Sequence, residues 1–160
     1  MLSIIIPFKD KANLLEKCIS SIENSNAGIP LEIILVNNNS KKKETQKLIN
    51  NIIHNNSFEH VKLIEVEDPF NYSKAINYAV SQSIYENVIL LNNDVFIITI
   101  NWGSKVCDFL KKEKIGCVGI KLLNEDKSVQ HLGIKLDFKN GAKEITKQSI
   151  YNEKTYKKIK

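Results

Sequence analysis

The most constraining feature of this sequence is an apolar run that ends in two amides and a carboxylate. Val88 to Leu91 has no polar alternation, and Asn92, Asn93 and Asp94 follow it directly. Strands without alternation are typical of parallel sheets, which are covered on both faces. In open α/β sheets, ligands bind outside the carboxyl ends of the strands. The pattern therefore predicts a buried strand that places Asp94 at a ligand-binding edge.

A second strand is predicted to end at the same edge. Leu31 to Val36 leads into the polar turn Asn37-Asn38-Asn39-Ser40. Asparagine amides offer both donors and acceptors, which suits the edge of a nucleotide base. An ordinary turn accounts for such residues equally well in isolation. Two polar strand ends on one sheet edge indicate a nucleotide pocket.

The remaining pattern alternates strands with helices. Further strands are predicted over Ser3 to Pro7 and Val61 to Val66, and less regular ones over Gly116 to Leu122 and Val129 to Leu136, separated by a turn at Asn124 to Lys127. Amphipathic helices are predicted after Asp10, over about 43–51, around Ala75 and Ala79, and around Trp102 and Val106. The alternation predicts an α/β fold with a mostly parallel, Rossmann-like sheet flanked by helices. Because the pattern fades from about Gly141, we expect one domain over 1–140 and a lysine-rich tail over 141–160.

Composition indicates a soluble, cytoplasmic chain. The formal net charge is +5, concentrated in Lys41 to Lys43 and the last seven residues. Such runs are typical of solvated faces, and the alternative is a phosphate-rich or membrane-surface partner. Three cysteines without metal-ligand spacing favour free thiols in a reducing compartment. No apolar run approaches the ~20 residues of a membrane span, and Met1-Leu2-Ser3-Ile4 lacks the basic region of a signal peptide, so any membrane contact is expected to be peripheral.

Asp94 is the first candidate for chemistry. Mg²⁺ and Mn²⁺ prefer oxygen ligands and often take one carboxylate together with phosphate oxygens and waters. Asn92 and Asn93 suit metal-bound waters or a ribose, whereas the plain alternative is an Asp that closes a turn. At the end of the first strand, Lys9 suits a phosphate and Asp10 suits a helix cap.

Several classes of function lack support in the sequence. Neither G-x-G-x-x-G, a P-loop nor a nucleophile elbow is present. A phosphoacceptor receiver domain needs further acidic residues beside Asp94, where this chain has asparagines. Nucleic-acid binding rests on charge alone, with no recognition motif. His131 is a single histidine in a predicted strand, which is more often a structural or surface residue than a ligand.

Five segments, in order, resemble the nucleotide-sugar-binding half of the family 2 glycosyltransferases, which have the GT-A fold. They cover about residues 2–136, and the branch that they are most similar to is the rhamnosyltransferase-like members that build bacterial surface polysaccharides. The segments are Ser3-Ile4-Ile5-Ile6-Pro7-Phe8-Lys9-Asp10, Glu32-Ile33-Ile34-Leu35-Val36-Asn37-Asn38-Asn39-Ser40, Pro69-Phe70-Asn71-Tyr72-Ser73 with Asn77, Leu90-Leu91-Asn92-Asn93-Asp94 with Trp102, and Val118-Gly119-Ile120-Lys121-Leu122-Leu123 leading to Gln130-His131-Leu132-Gly133.

The resemblance implies roles for individual residues. Asp94 matches the metal-binding Asp of the Asp-x-Asp signature, and Asn93 matches a neighbour that commonly contacts the donor ribose. Asn38 matches the position that pairs with the base. The other implied nucleotide-sugar contacts are the base-pocket residues Pro7, Phe8 and Lys9, the turn residues Asn37 and Asn92, a base or phosphate contact at Asn71, and His131 near the diphosphate. The implied ligands are Mn²⁺ or Mg²⁺, a sugar nucleotide of the UDP, dTDP or GDP type, and a saccharide or lipid-linked acceptor.

Two departures from the family pattern leave the activity open between two interpretations. Asn92 and Asn38 stand where the family often has Asp, and no general base is identified. The base is expected on a segment past about residue 140, and losing one costs about 10²–10⁴-fold in rate. The chain is therefore expected to be the donor half of an inverting glycosyltransferase. The alternative is a catalytically incomplete nucleotide-sugar-binding module that needs a partner or a C-terminal segment.

Overall fold

A computed structural model describes residues 1–66, 69–137 and 141–144. The contacts divide the chain into two compact units, Met1–Glu113 and Lys114–Lys160. In its described residues, the first unit contains four strands and four helices. The second contributes short antiparallel strands. The predicted domain boundary near residue 140 stays a prediction.

The first unit is built on one parallel sheet. Its strands are β1 (Leu2–Phe8), β2 (Leu31–Asn38), β3 (His60–Val66) and β4 (Val88–Leu90), in the order β3-β2-β1-β4. All three pairings are parallel. The predicted α/β class with a mostly parallel sheet is confirmed.

Helices cover the sheet on both faces. They are α1 (Ala12–Asn24), α2 (Lys43–His54), α3 (Tyr72–Ser81) and α4 (Trp102–Leu110). Buried residues of α1, α2 and α4 pack with Ile4 and Ile6 of β1, while α3 packs with Ile5 on the opposite face. The four predicted helices and the first three predicted strands are confirmed. The second helix runs three residues further than predicted because Ile52 is buried in the same core.

The expectation that the strand before Asp94 is buried on both faces is wrong. Among the described residues, strand β4 lies at the edge of the sheet and pairs with β1 alone. Val88 and Ile89 each pack partly against one of the two core clusters, but Leu90 is 54% exposed. A continuous apolar run therefore does not by itself distinguish a central strand from this edge strand.

The second unit differs from the prediction more strongly. It contains two antiparallel pairs, β5 (Leu122–Leu123) with β6 (Val129–His131), and β7 (Ile134–Asp137) with β8 (Gly141–Glu144). The predicted strand over 116–122 is wrong except at its end, and the one over 129–136 is interrupted at Gly133, whose φ is +137°. Strand β8 lies where we expected the pattern to have faded. Residues 145–160 of the predicted tail lie outside the described residues.

A buried carboxylate fixes the amino edge of the parallel sheet. Glu32 is 1% exposed, and its Oε2 accepts hydrogen bonds from Ser3 Oγ at 2.5 Å and from the Ile84 backbone N–H at 2.9 Å. Lys62 Nζ lies 3.8 Å from Glu32 Oε1. The carboxylate thereby ties the loop before β4 to β1, β2 and β3.

Replacing this carboxylate is expected to destabilise the fold strongly. In Glu32→Ala the Ser3 hydroxyl and the Ile84 N–H both lose a buried charged acceptor, so the free energy of unfolding should fall by about 3 kcal/mol. Urea denaturation followed by circular dichroism measures this loss. Glu16→Ala, on the exposed side of α1, is the control and should change stability by less than about 0.5 kcal/mol. Equal losses in the two variants would contradict the assignment.

Candidate functional site

The parallel register brings the carboxyl ends of three strands to one edge. Phe8, the last residue of β1, is level with Asn37 of β2. On the other side of β1, Leu90 is level with Ile5, and the Leu91 backbone N–H donates to Ile5 O at 3.0 Å. The polar segments that follow β1, β2 and β4 therefore leave the sheet at the same edge, as the parallel register requires.

Asp10 joins the loop after β1 to the loop after β2. Its backbone N–H donates to Ser40 Oγ at 2.8 Å, and its Oδ1 accepts from the Lys41 and Lys42 backbone N–H groups at 3.1 and 3.0 Å. The prediction that Asp10 caps the helix that follows it is wrong, because Lys11 occupies that cap position. The carboxylate instead satisfies free N–H groups at the start of α2. Sequence spacing gave no signal for these partners, which lie about thirty residues away.

The three asparagines after β2 have different environments. Asn37 is buried, with its Nδ2 donating to Glu65 Oε2 at 2.9 Å and its Oδ1 accepting from the Ser40 N–H at 3.1 Å. Asn39 takes a left-handed conformation with φ of +50°. Asn38 Oδ1 is buried and has no hydrogen-bond partner within the described part of the chain. An orphaned buried acceptor costs about 1–3 kcal/mol, which a donor on a ligand would recover.

The base-pocket residues predicted on β1 differ in accessibility. Phe8 is only 4% exposed and belongs to the core on the α1 face. Pro7 is half-buried, and Lys9 is exposed beyond the strand end. Lys9 is therefore the most accessible of the three, while Phe8 supports the loop from below.

Asn71 is the N-cap of α3. Its Oδ1 accepts a hydrogen bond from the Lys74 backbone N–H at 2.9 Å, as expected for an asparagine at this position. The side chain is exposed. The cap explains why this residue type stands here, and its contact with a nucleotide stays a prediction.

Asp94 lies in a tight turn directly after β4. The Val95 backbone N–H donates to Asn92 O at 3.2 Å, so Asn93 and Asp94 are the central residues of the turn. Asp94 and Asn92 are exposed, and Asn93 is half-buried. Behind the turn, the Cys18 thiol donates to Asn92 O at 3.8 Å. Burial, followed by the nearby charge of Asp94, raises the pKa of Cys18 to about 12. The carboxylate therefore faces solvent in front of a protonated thiol.

Asp94 and the amides beside it fit a metal ion whose coordination is completed by a bound phosphate group. Within the described ranges, no cluster of three or more His, Cys, Asp or Glu side chains is placed to hold a metal ion. A single carboxylate with adjacent amide oxygens is nevertheless sufficient for Mg²⁺ or Mn²⁺ when phosphate oxygens and waters supply the other ligands. The Asp94 turn fits that description.

His131 belongs to β6 of the second unit, opposite Leu122, and is half-buried. Its contact with the diphosphate stays a prediction, since the two units are described separately.

Sequence comparisons match nearly the whole chain to known proteins. A profile described as "Glycosyl transferase family 2" matches residues 3–158. An uncharacterized protein, y4gI, from Sinorhizobium fredii is 36% identical over 134 residues, which are 84% of this chain and 14% of the relative. The O-antigen biosynthesis protein RfbC from Myxococcus xanthus is 34% identical over 134 residues, 82% of this chain and 10% of the relative. The chain thus spans a small part of these relatives.

Solved structures show the same fold at low sequence identity. A mannosyltransferase, PcManGT from Pyrobaculum calidifontis in complex with GDP-Man and Mn²⁺, superimposes with a TM-score of 0.64 at 18% identity, covering 72% of this chain and 33% of that one. S. aureus TarS 1-349 superimposes with a TM-score of 0.56 at 18% identity, covering 68% of this chain and 32% of that one. The described sheet and helices are therefore those of a larger known fold.

The three thiols are expected to react very differently. Cys117 is exposed, whereas Cys18 and Cys107 are buried, and the raised pKa of Cys18 keeps its reactive thiolate scarce. At pH 8, Ellman's reagent should modify one thiol rapidly in the native chain and all three in guanidinium chloride. Cys117→Ser is the matched variant and should remove the rapid reaction. A rapid reaction that persists in that variant would contradict the burial of Cys18 and Cys107.

Proposed function

Because the chain belongs to glycosyl transferase family 2, we propose that it binds the nucleoside diphosphate of a sugar nucleotide at the edge where β1, β2 and β4 end. The observation that carries the proposal is the orphaned Asn38 Oδ1. It lies at the end of β2, while the exposed Asp94 turn follows β4, and β1 separates the two strands. A base bound at Asn38 with its diphosphate extending toward Asp94 would occupy both groups.

The free acceptor at Asn38 favours bases that carry a ring N–H. Uracil, thymine and guanine each present such a donor, so donors of the UDP, dTDP or GDP type fit the site. The mannosyltransferase with the same fold was solved in complex with GDP-Man and Mn²⁺, which supports a sugar nucleotide and a divalent metal as ligands. Asn93 is proposed to contact the ribose, and Lys9 the diphosphate.

Asp94 is proposed to hold Mn²⁺ or Mg²⁺, and Asn92 to orient the metal-bound waters. When bound, the metal supplies a Lewis acid that stabilises negative charge on the departing diphosphate. The turn around Asp94 contributes one exposed carboxylate, and the amides beside it add oxygen donors without adding charge.

The whole protein is proposed to transfer the sugar with inversion to a saccharide or lipid-linked acceptor in surface polysaccharide synthesis. The O-antigen biosynthesis relative and the similarity to rhamnosyltransferase-like members support this class. A general base supplied from beyond residue 140 would deprotonate the acceptor hydroxyl. The second candidate is a nucleotide-sugar-binding module whose turnover needs another segment or subunit. Release of nucleoside diphosphate by the isolated chain would exclude that candidate.

Metal-dependent nucleotide binding is the first expected result. A panel of UDP, dTDP, GDP and CMP, each with and without Mn²⁺, should yield one nucleotide that raises the melting temperature slightly on its own and by several degrees when Mn²⁺ is present. A nucleotide at about 100 times its dissociation constant adds roughly 2.7 kcal/mol of stability. In Asp94→Ala, which replaces an exposed side chain, the chain should stay folded and the metal-dependent part of the shift should vanish.

Two further variants separate the base from the metal. Asn38→Ala removes the base acceptor and should weaken binding with and without Mn²⁺ by the same factor, about tenfold for one lost hydrogen bond. Asn26→Ala lies in the loop at the opposite edge of the sheet, before β2, and should leave binding unchanged. Undiminished Mn²⁺-dependent binding in Asp94→Ala would contradict the proposed site.

An exposed cluster of lysines supports a peripheral location at the inner face of a membrane. Asp10 joins the loop after β1, which carries Lys9 and Lys11, to the loop after β2, which carries Lys41 to Lys43. All five lysines are exposed. Lys42 and Lys43 stand at the amino end of α2, where the helix dipole disfavours positive charge. Within the described residues, no helix meets the length and hydropathy that a membrane span requires. An anionic lipid surface would compensate these lysines without insertion.

Vesicle binding tests this location. Each lysine near an anionic surface contributes about 1 kcal/mol, so the combined change of Lys41, Lys42 and Lys43 to Ala should weaken binding to phosphatidylglycerol vesicles by roughly a hundredfold. The matched triple changes Lys105, Lys111 and Lys112, since α4 ends at the opposite edge, where Leu110 and Lys111 line a cavity of about 390 Å³ with Met1. Equal losses in the two triples, or equal binding to neutral vesicles, would contradict a specific basic surface.

A further inference from the structure

The segment that carries Asp94 has no regular structure of its own. Residues 91–101 lie between β4 and α4 and form neither helix nor strand. Leu91 is tied to β1 through its N–H, and Asn101 donates to Asn26 O at 2.8 Å at the far end. Between these ends, the position of the Asp94 turn depends on contacts with the neighbouring helix.

Helix α1 and its C-cap residue, Ser25, supply these contacts from one stripe. Cys18, Ser21 and Ser25 are spaced at i, i+3 and i+7, which places them on the same side of the helix axis. In order, they meet Asn92 O, the Ile97 N–H and Trp102 Nε1, at 3.8, 2.9 and 2.9 Å. The order of these contacts shows that the segment runs alongside α1 from the Asp94 turn to the start of α4.

Ser21 is the central contact and is held in place from both sides. Its Oγ accepts from the Ile97 N–H at 2.9 Å and donates to Cys18 O at 2.7 Å. Ile97 lies three residues after Asp94, and its side chain packs against the core together with Val95. The hydroxyl is thus oriented by its own helix, so that its acceptor lone pair is aimed at the segment.

We propose that Ser21, together with Cys18, is a positioning residue that holds the Asp94 turn in the geometry that binds the metal–nucleotide pair. The turn carries one carboxylate, that of Asp94, so metal binding there depends strongly on where this carboxylate stands. Anchors on both sides of Asp94, at Asn92 and Ile97, restrict the turn. The proposal rests on the proposed function and adds residues of α1 that contact neither metal nor nucleotide.

The third member of the stripe has a different consequence. Ser25 is buried and holds Trp102 at the start of α4, eight residues beyond Asp94. Loss of that bond should lower stability without moving the turn. Ser25→Ala therefore serves as a variant with comparable destabilisation and an intact site. Ser81 in α3 makes the same hydrogen bond to the carbonyl three residues earlier, is exposed, and provides a neutral control.

The experiment measures Mn²⁺ affinity in the full chain by electron paramagnetic resonance, with UDP, dTDP and GDP each present at saturation. In Ser21→Ala, Mn²⁺ affinity should fall about tenfold, the lower end for lost support of a ligand, while the nucleotide affinity without metal stays unchanged. Ser21→Thr, which keeps the hydroxyl, should restore Mn²⁺ affinity. Ser25→Ala and Ser81→Ala should bind Mn²⁺ as the unmodified chain does.

Each outcome has a distinct meaning. Absence of Mn²⁺–nucleotide binding in the unmodified chain would contradict the proposed function, and the positioning role with it. Normal Mn²⁺ affinity in Ser21→Ala, with faster hydrogen exchange at the Ile97 amide, would overturn the positioning role alone. An equal loss of Mn²⁺ affinity in Ser25→Ala would also overturn it, because general destabilisation would then explain the effect.

Discussion

The parallel pairing of β1 with both β2 and β4 is the constraint on which the candidate site depends. It sets Phe8 level with Asn37 and Leu90 level with Ile5. A two-residue shift in either pairing would move the polar turns about 7 Å apart along the strands. The buried Glu32 helps to fix this register from the opposite edge, since it joins three of the strands and the loop before β4. Site geometry and fold stability are thus linked through the sheet.

Three strained residues lie at the same edge. Asp10, Lys11 and Asn39 all have left-handed backbone conformations, with φ of +49°, +53° and +50°. Such conformations cost about 1–3 kcal/mol each and persist only where the surroundings enforce them. Here the hydrogen bonds between Asp10 and the loop after β2 enforce them. The two loops therefore behave as one polar surface, with an orphaned acceptor at Asn38 and a rim of lysines.

Local patterns predicted local structure well, and partners distant in sequence less well. Amphipathic spacing placed the four helices, and apolar runs placed β1 to β3, because burial of one face determines both. The same reasoning overestimated the burial of β4, because an apolar run does not indicate whether a second strand pairs with it in the sheet. Asp10 was assigned to the wrong helix for a similar reason. Its capping propensity is local, whereas its actual partners follow β2. In the second unit, the predicted strand over 129–136 was wrong because Gly133, with its positive φ, divides it into two strands.

In the candidate site, too, local features were predictable from the sequence, whereas contacts between residues distant in sequence were not. The polar strand ends predicted a common edge for the turns that carry Asn38 and Asp94, and the register explains why they share it. Three features could not be predicted from the sequence. The Asn37 amide donates a hydrogen bond to Glu65, the Phe8 side chain is buried, and Ser21 of α1 binds the segment that carries Asp94. Each of these depends on side chains that meet across the fold.

Paramagnetic broadening by Mn²⁺ would test the central claim most directly. In a ¹⁵N–¹H spectrum recorded with the bound nucleotide and substoichiometric Mn²⁺, the account predicts that the amides of Asn93 and Asp94 broaden first, while that of Ile84 at the opposite edge stays sharp. Broadening centred elsewhere, or none around Asp94 when the nucleotide is bound, would contradict the assignment of the metal to this edge.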